Sequence, residues 1–237
     1  MKIDKKINFK KKTQWSFTDI ADHFENHIAK SIPHYIEWHN LICSLSNNFL
    51  DQKNTIFTEL GTSTGLLSRS LANYHKLNKT LKIYSYDIEP KMIKKAKLIS
   101  KKNKNINFFC RDITKHKLKK SNCILSYYTL QFIPQKSRQS MVKKVYDSLE
   151  WGGGFFLFEK IRGNDARFQD YFIQTYNDFK TDNGFTDIEI LNKTRSLRGV
   201  LDPFSSKGNL DLLKRAGFKD ISTIAQWANF KGWLAIK

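Results

Sequence analysis

Several things are scarce in this 237-residue chain, and each scarcity closes off a class of function. No apolar run approaches the ~18 residues that a membrane-spanning helix needs, so no transmembrane helix is expected. The opening stretch, Met-Lys-Ile-Asp-Lys-Lys-Ile-Asn-Phe-Lys-Lys-Lys, lacks the apolar centre of a signal peptide. Three cysteines (Cys43, Cys110, Cys123) are an odd number without metal-ligand spacing. That argues against a disulfide framework and a metal site, and for reduced thiols in a cytoplasmic protein. Histidine is absent beyond His116; His23, His27, His34, His39 and His75 all come earlier. Acids are also few, 22 against 41 Lys and Arg, which leaves a net charge of +19.

That charge is compatible with RNA contact through a basic surface, because lysines release counterions from a phosphate backbone. The lysines are scattered from end to end, however, with knots only at 10–12, 94–104 and 115–120. An even scatter is also what a general compositional bias towards Lys, Asn and Ile produces. What the chain does have is a hydrophobic fraction of 40%, enough for one sizeable folded domain.

Residues 1–16 read as a basic, flexible tail and 17–50 as an N-terminal helical cap of two helices separated at Pro33. From residue 51 the pattern alternates between short apolar runs and helical stretches. Strands are expected at 56–60, 81–87, 106–112, 123–129 and 155–159, with helices at 65–75, 90–101 and 134–149. Trp151-Gly152-Gly153-Gly154 reads as a turn into the fifth strand. A helical insertion follows at about 162–200, then a helix at 209–216 and two closely connected strands, 221–227 and 232–236, which must be antiparallel. The fold class is therefore α/β, a mostly parallel Rossmann-like sheet flanked by helices.

Gly61-Thr62-Ser63-Thr64-Gly65, after the first apolar run, supports two incompatible chemistries. As G-x-S-x-G it would be a nucleophile elbow, which needs a histidine late in the chain. None exists there, so the hydrolase reading fails. As Glu59-x-Gly61-x-x-x-Gly65 it is the first loop of a nucleotide-cofactor sheet, where Gly61 and Gly65 let the backbone approach the ligand. Asp87, closing the second strand, suits the two hydroxyls of a ribose. Asp112, closing the third, suits an adenine amino group, with Ile113 beside it. Ser63 in place of a middle glycine gives less reason to expect a pyrophosphate. An adenosine ligand without pyrophosphate, such as S-adenosyl-L-methionine (SAM), fits.

These residues resemble the class I SAM-dependent methyltransferases, whose seven-stranded sheet also ends in an antiparallel hairpin. Ser31-Ile-Pro-His-Tyr35, Tyr128-Thr-Leu-Gln-Phe132, Glu159-Lys160, Asp178-Phe-Lys180, Asn183-Gly184, Ala216-Gly-Phe218 and Asn229-Phe230 are similar to the bacterial carboxy-SAM synthases. The resemblance implies cofactor contacts from Tyr35, Gly61, Thr62, Ser63, Asp87, Ile88, Asp112 and Ile113, with Gly65 in the same turn and Tyr127 facing the ligand. It also implies a homodimer and a part in tRNA modification. The chain departs from the family at three places. Ile88 and Tyr127 stand where the family has asparagines, and Thr194, with Arg195 next to it, stands where the family has the arginine that pairs with the carboxylate of carboxy-SAM.

Transfer from SAM needs mainly alignment of the acceptor, so Tyr127, Gln131, Glu159 and Arg195 are candidates for orienting a substrate rather than for covalent work. Three functions follow. The first is a SAM-dependent methyltransferase acting on a small molecule or an RNA. The second is a carboxy-SAM synthase using SAM and prephenate for tRNA wobble-uridine modification. The third is a non-catalytic binding protein of the same fold. The cofactor is SAM or carboxy-SAM, and no motif identifies an acceptor.

Overall fold

A computed structural model describes residues 21–237; the tail at 1–16 and the first four residues of the expected cap lie outside the described residues. The cap contributes α1 (Phe24–Ser31) and α2 (Tyr35–Leu50), broken at Ile32, whose extended backbone precedes Pro33. The sheet-forming part then runs β1 (Ile56–Leu60), α3 (Leu66–Tyr74), β2 (Lys82–Asp87), α4 (Pro90–Ile99), β3 (Ile106–Cys110) and β4 (Ser121–Tyr127). A 3₁₀ turn (Leu130–Phe132) leads into α5 (Gln135–Ser148), β5 (Leu149–Lys160), α6 (Ala166–Asp182), α7 (Asp187–Ser196), α8 (Ser206–Ala216), β6 (Asp220–Trp227) and β7 (Phe230–Ile236).

The seven strands lie in the order β3-β2-β1-β4-β5-β7-β6, parallel except for β7, which pairs antiparallel with both neighbours. The chain winds outward from β1 through β2 to β3 and then returns to the other side of β1 with β4. Loops leaving β1 and β4 therefore diverge, and a crevice opens at the carboxyl ends of the strands. Phe155, Phe156, Leu157 and Phe158 in β5 are at most 1% exposed, because helices cover both faces. Met141, Val142, Val145, Leu212 and Leu213 of α5 and α8 pack on one face. Ile42, Leu67 and Leu71 of α2 and α3 pack on the other.

One element differs from the sequence reading. The glycines 152–154 are not a turn; they lie within β5, where Gly152 donates to the Lys237 carbonyl and Lys237 donates to that of Gly153. Pairing with the chain's last residues draws them into the sheet, and the register against β4 shifts there instead. The 162–200 insertion is two helices, broken at Asn183-Gly184, where Gly184 has a φ of +85°. A capping box between Thr186 and Glu189 then starts α7. No helix among the described residues is long and apolar enough to cross a membrane.

Candidate active site

The turn after β1 is set by backbone geometry. The N–H groups of Gly61 and Thr62 both donate to the Tyr86 carbonyl, at 2.8 and 2.9 Å, which ties the turn to the end of β2. Gly61 has a φ of +77°, and a Cβ there would lie 2.1 Å from Thr129 Oγ1, so no side chain fits between this turn and the one after β4. Ser63, also left-handed at +51°, aims its N–H at Asp87 Oδ2 (2.8 Å). The Glu89 N–H takes the other oxygen (2.9 Å). Burial raises the Asp87 pKa, and the two N–H groups oppose that. Each carboxylate oxygen keeps a lone pair for a further donor. Gly65 caps α3, where a Cβ would meet the Phe108 ring at 2.6 Å; its role is in the turn rather than on the cavity wall.

Beneath the turn, Glu59 is 3% exposed and accepts from the hydroxyls of Thr62 (2.7 Å) and Ser68. Burial pushes its pKa up to about 7. It lines the cavity, a role that the sequence reading did not give it although the residue stood in the motif itself. Asp112 also lines the cavity, but Oδ1 is held by the N–H (2.9 Å) and hydroxyl (2.6 Å) of Thr114. The Thr114 hydroxyl, more than any other group, holds this carboxyl below its usual range. Ile88 is mostly exposed and Ile113 buried, and both face the same space.

That space is a cavity of about 470 Å³, within the ~300–1,000 Å³ of ordinary small-molecule sites. Tyr35, Gly61, Thr62, Ser63, Asp87, Ile88, Asp112, Ile113, Tyr127 and Gln131 all line it. Phe24 and Ile28 of α1 contribute apolar wall. The cap is pinned over the turn by Glu25, whose Oε1 accepts from Thr64 Oγ1 (2.8 Å) and pairs with Arg69 Nη2 (2.6 Å).

The β4 side is aromatic. The Tyr127 hydroxyl donates to the Tyr35 carbonyl (3.0 Å), and its ring packs 4.9 Å from His39 and 5.1 Å from Phe158. Burial raises its pKa well above the usual value, so it is a wall that ties β4 to the cap rather than a base. Tyr128 has a φ of +58° and a buried hydroxyl with no hydrogen-bond partner among the described residues. Gln131 is engaged at both ends of its amide: Nε2 donates to the Tyr128 carbonyl (3.2 Å) and Oε1 accepts from the Lys160 N–H (3.1 Å). Glu159 stands behind the wall and accepts from the Leu130 N–H (2.9 Å); burial lifts its pKa to about 8.

The arginines lie elsewhere. Thr194, Arg195 and Arg198 are on the exposed side of α7 and its C-terminal turn, and Thr194 Oγ1 donates to the Ile190 carbonyl of its own helix (2.9 Å). The inward-facing cation of α7 is the neighbouring Lys193, with Nζ 2.9 Å from His27 Nε2 and 3.1 Å from Ser31 Oγ. Burial takes the His27 pKa down to about 3, so this ring is neutral and Nε2 accepts from the ammonium. No group of three or more His, Cys, Asp or Glu among the described residues is arranged to hold a metal ion.

A profile described as a methyltransferase domain matches residues 57–153. The carboxy-S-adenosyl-L-methionine synthase of Staphylococcus epidermidis is 34% identical over 226 residues, 94% of this chain and 97% of that one. The synthase of the same name from Nautilia profundicola is 33% identical over 99% of both chains. Among solved structures, human N-acetylserotonin methyltransferase in complex with SAM superposes with a TM-score of 0.55 at 18% identity. The superposition covers 93% of this chain and 58% of that longer one.

Proposed function

The chain belongs to the family of carboxy-S-adenosyl-L-methionine synthases, and on that premise we propose that it makes carboxy-SAM from SAM and prephenate, for tRNA wobble-uridine modification. At the coarser level it is a SAM-dependent transferase. The finer reading is supported by one observation above all. Identity with the synthases extends over 94–99% of the chain, well past the 57–153 methyltransferase core and into the cap and the α6–α7 insertion.

The cavity fits the adenosyl cofactor. Gly61 leaves a cradle that a Cβ would fill, and Asp87 offers two oriented oxygens at the end of β2. In this reading Asp87 accepts from the ribose hydroxyls and Asp112 Oδ2 from the adenine amino group, with Ile88 and Ile113 against the base. Tyr35 and the backbone of Thr62 and Ser63 contact the amino-acid portion, and Tyr127 closes the wall. When bound, SAM supplies a carbon activated by its sulfonium. Gln131 and Glu159 hold the 3₁₀ turn between β4 and β5, which shapes the wall beside that carbon. A homodimer, implied by the family resemblance, belongs to the same proposal.

Plain methyl transfer, the first reading of the sequence, is less well supported by these relatives. One observation favours it: Thr194, Arg195 and Arg198 all lie outside the cavity lining, so no arginine of α7 meets a carboxylated cofactor there. The third reading, a non-catalytic protein, is set aside by membership of an enzyme family. Mass spectrometry of the ligand that co-purifies with the full chain separates the first two. Carboxy-SAM is the expected species, and S-adenosylhomocysteine without any carboxylated species would favour methyl transfer.

A further inference from the structure

Behind Tyr128 two lysines from two elements pack on one aromatic ring, that of Tyr176, and a third from another element is joined to that ring's hydroxyl through Ser31. Lys160 ends β5, and Lys180 and Lys193 sit in the last turns of α6 and α7. The ammonium groups of Lys160 and Lys180 lie 4.3 and 4.2 Å from the centroid of the Tyr176 ring. The Tyr176 hydroxyl donates to the Ser31 carbonyl (2.9 Å), and the hydroxyl of that same serine is 3.1 Å from Lys193 Nζ. Lys180 is only 5% exposed. Neither Lys160 nor Lys180 has an ion pair or an ammonium hydrogen bond among the described residues. A ring face attracts a cation but does not neutralise it. Buried like charges without a counter-charge are costly, and proteins keep them where a ligand supplies the opposite sign.

The cluster also has a direction. Asp87 and Asp112 follow β2 and β3, whereas Lys160 ends β5, on the other side of β1 and β4 in the sheet order. Lys160 lies 5.8 Å from the Phe230 ring, which packs 5.8 Å from the ring of Tyr128. Tyr128 in turn lines the cofactor cavity and is 7% exposed, with its hydroxyl unpartnered among the described residues.

We propose that Lys160, Lys180 and Lys193, together with the Tyr128 hydroxyl, form the receptor for the carboxylates of a small dicarboxylate co-substrate, seated on the β4–β5 side of the cofactor. The identity of that co-substrate as prephenate rests on the reading under Proposed function; the receptor's preference for a dicarboxylate comes from the cluster. Burial, with repulsion among the lysines adding to it for Lys160 and Lys193, draws these two ammonium groups down to about 7. Burial alone draws Lys180 down to about 8. A seated dianion reverses both effects, so its binding holds the lysines in their charged form.

Steady-state kinetics of the full chain with SAM and prephenate tests this, using Lys160→Met, Lys180→Met and the charge-preserving Lys180→Arg. The Met variants are expected to raise the KM for prephenate about tenfold or more, as loss of a charged hydrogen bond does, with SAM affinity within about twofold of wild type. Lys180→Arg is expected to recover most of the loss. A second measurement needs no turnover: thermal melting of the SAM-loaded proteins with increasing succinate, a non-reacting dicarboxylate. Wild type is expected to be stabilised in a saturable way and the Met variants not. If no protein forms carboxy-SAM yet succinate saturates wild type alone, the receptor stands and the functional reading fails. If the Met variants form carboxy-SAM with an unchanged KM for prephenate, the receptor is overturned and the functional reading stands. Succinate that stabilises all variants equally, or none, also overturns it.

Discussion

The two sides of the crevice are built from different materials. On the β1–β3 side, backbone N–H groups and carboxylates dominate: Gly61 and Thr62 bond to the Tyr86 carbonyl, and Asp87 is held between Ser63 and Glu89. On the β4–β5 side, the wall is aromatic, with Tyr127, Tyr128, Phe158 and Phe230 in ring contact, and the cations Lys160, Lys180 and Lys193 behind it. One side is acidic and suits a hydroxyl-rich nucleoside; the other is basic and suits an anion. The first is what a SAM-binding sheet requires. On the proposed function the second decides what is done to the cofactor, and the two should fail in different ways when altered.

The largest separation is expected from Asp87→Ala. Removing the carboxylate proposed to accept from the two ribose hydroxyls should weaken SAM binding by about 3 kcal/mol, roughly 100-fold, with succinate stabilisation of the cofactor-free protein unaffected; calorimetric titration measures the first. Unchanged SAM affinity would break the ribose assignment. Next is Gly61→Ala, which combines a strained φ of +77° with a Cβ placed 2.1 Å from Thr129. About 1–3 kcal/mol of stability should be lost in urea unfolding, along with SAM affinity.

Lys180→Met sharpens the contrast from the basic side. In the ligand-free protein the Lys180 pKa is lowered to about 8 from an unfolded value of about 10.4, so the unfolded chain binds more protons between those values. The cost to the fold is therefore complete below about pH 8 and disappears as pH rises past about 10. The Met variant should be more stable than wild type at pH 7, and that advantage should vanish by about pH 10, as urea midpoints at the two pH values would register. A pH-independent difference would mean that Lys180 acts through packing alone.

Smaller still is Tyr127→Phe, which removes one hydrogen bond to the Tyr35 carbonyl. It should cost about 1 kcal/mol of stability and leave product identity unchanged. The smallest effect is expected from Arg195→Ala, since this side chain is exposed on α7. A change in the KM for prephenate beyond about twofold would place it in the site after all.

The acidic side was legible in the sequence because each part is local: a glycine turn follows one short strand, and Asp87 and Asp112 follow the next two. The mostly parallel sheet and the terminal hairpin could be read for the same reason, from the alternation of short apolar runs with helices. The basic side was not legible. His27, Ser31, Lys160, Tyr176, Lys180 and Lys193 come from four separate elements, and only packing of α6 and α7 onto the cap brings them together. A helix position also cannot be read to within one residue from pattern alone. The resemblance pointed to Thr194 and Arg195, while one residue earlier α7 turns Lys193 inward. Glycines 152–154 were misread because their strand partner is the last residue of the chain.

The central claim is that the basic side makes this a two-substrate site, and the mass of the adenosyl product tests it most directly. The purified full chain is incubated with SAM, with and without prephenate, and the nucleoside products are identified by mass spectrometry. Carboxy-SAM formed only when prephenate is present is the predicted result; S-adenosylhomocysteine formed at the same rate with or without prephenate, and no carboxy-SAM in either, would contradict it.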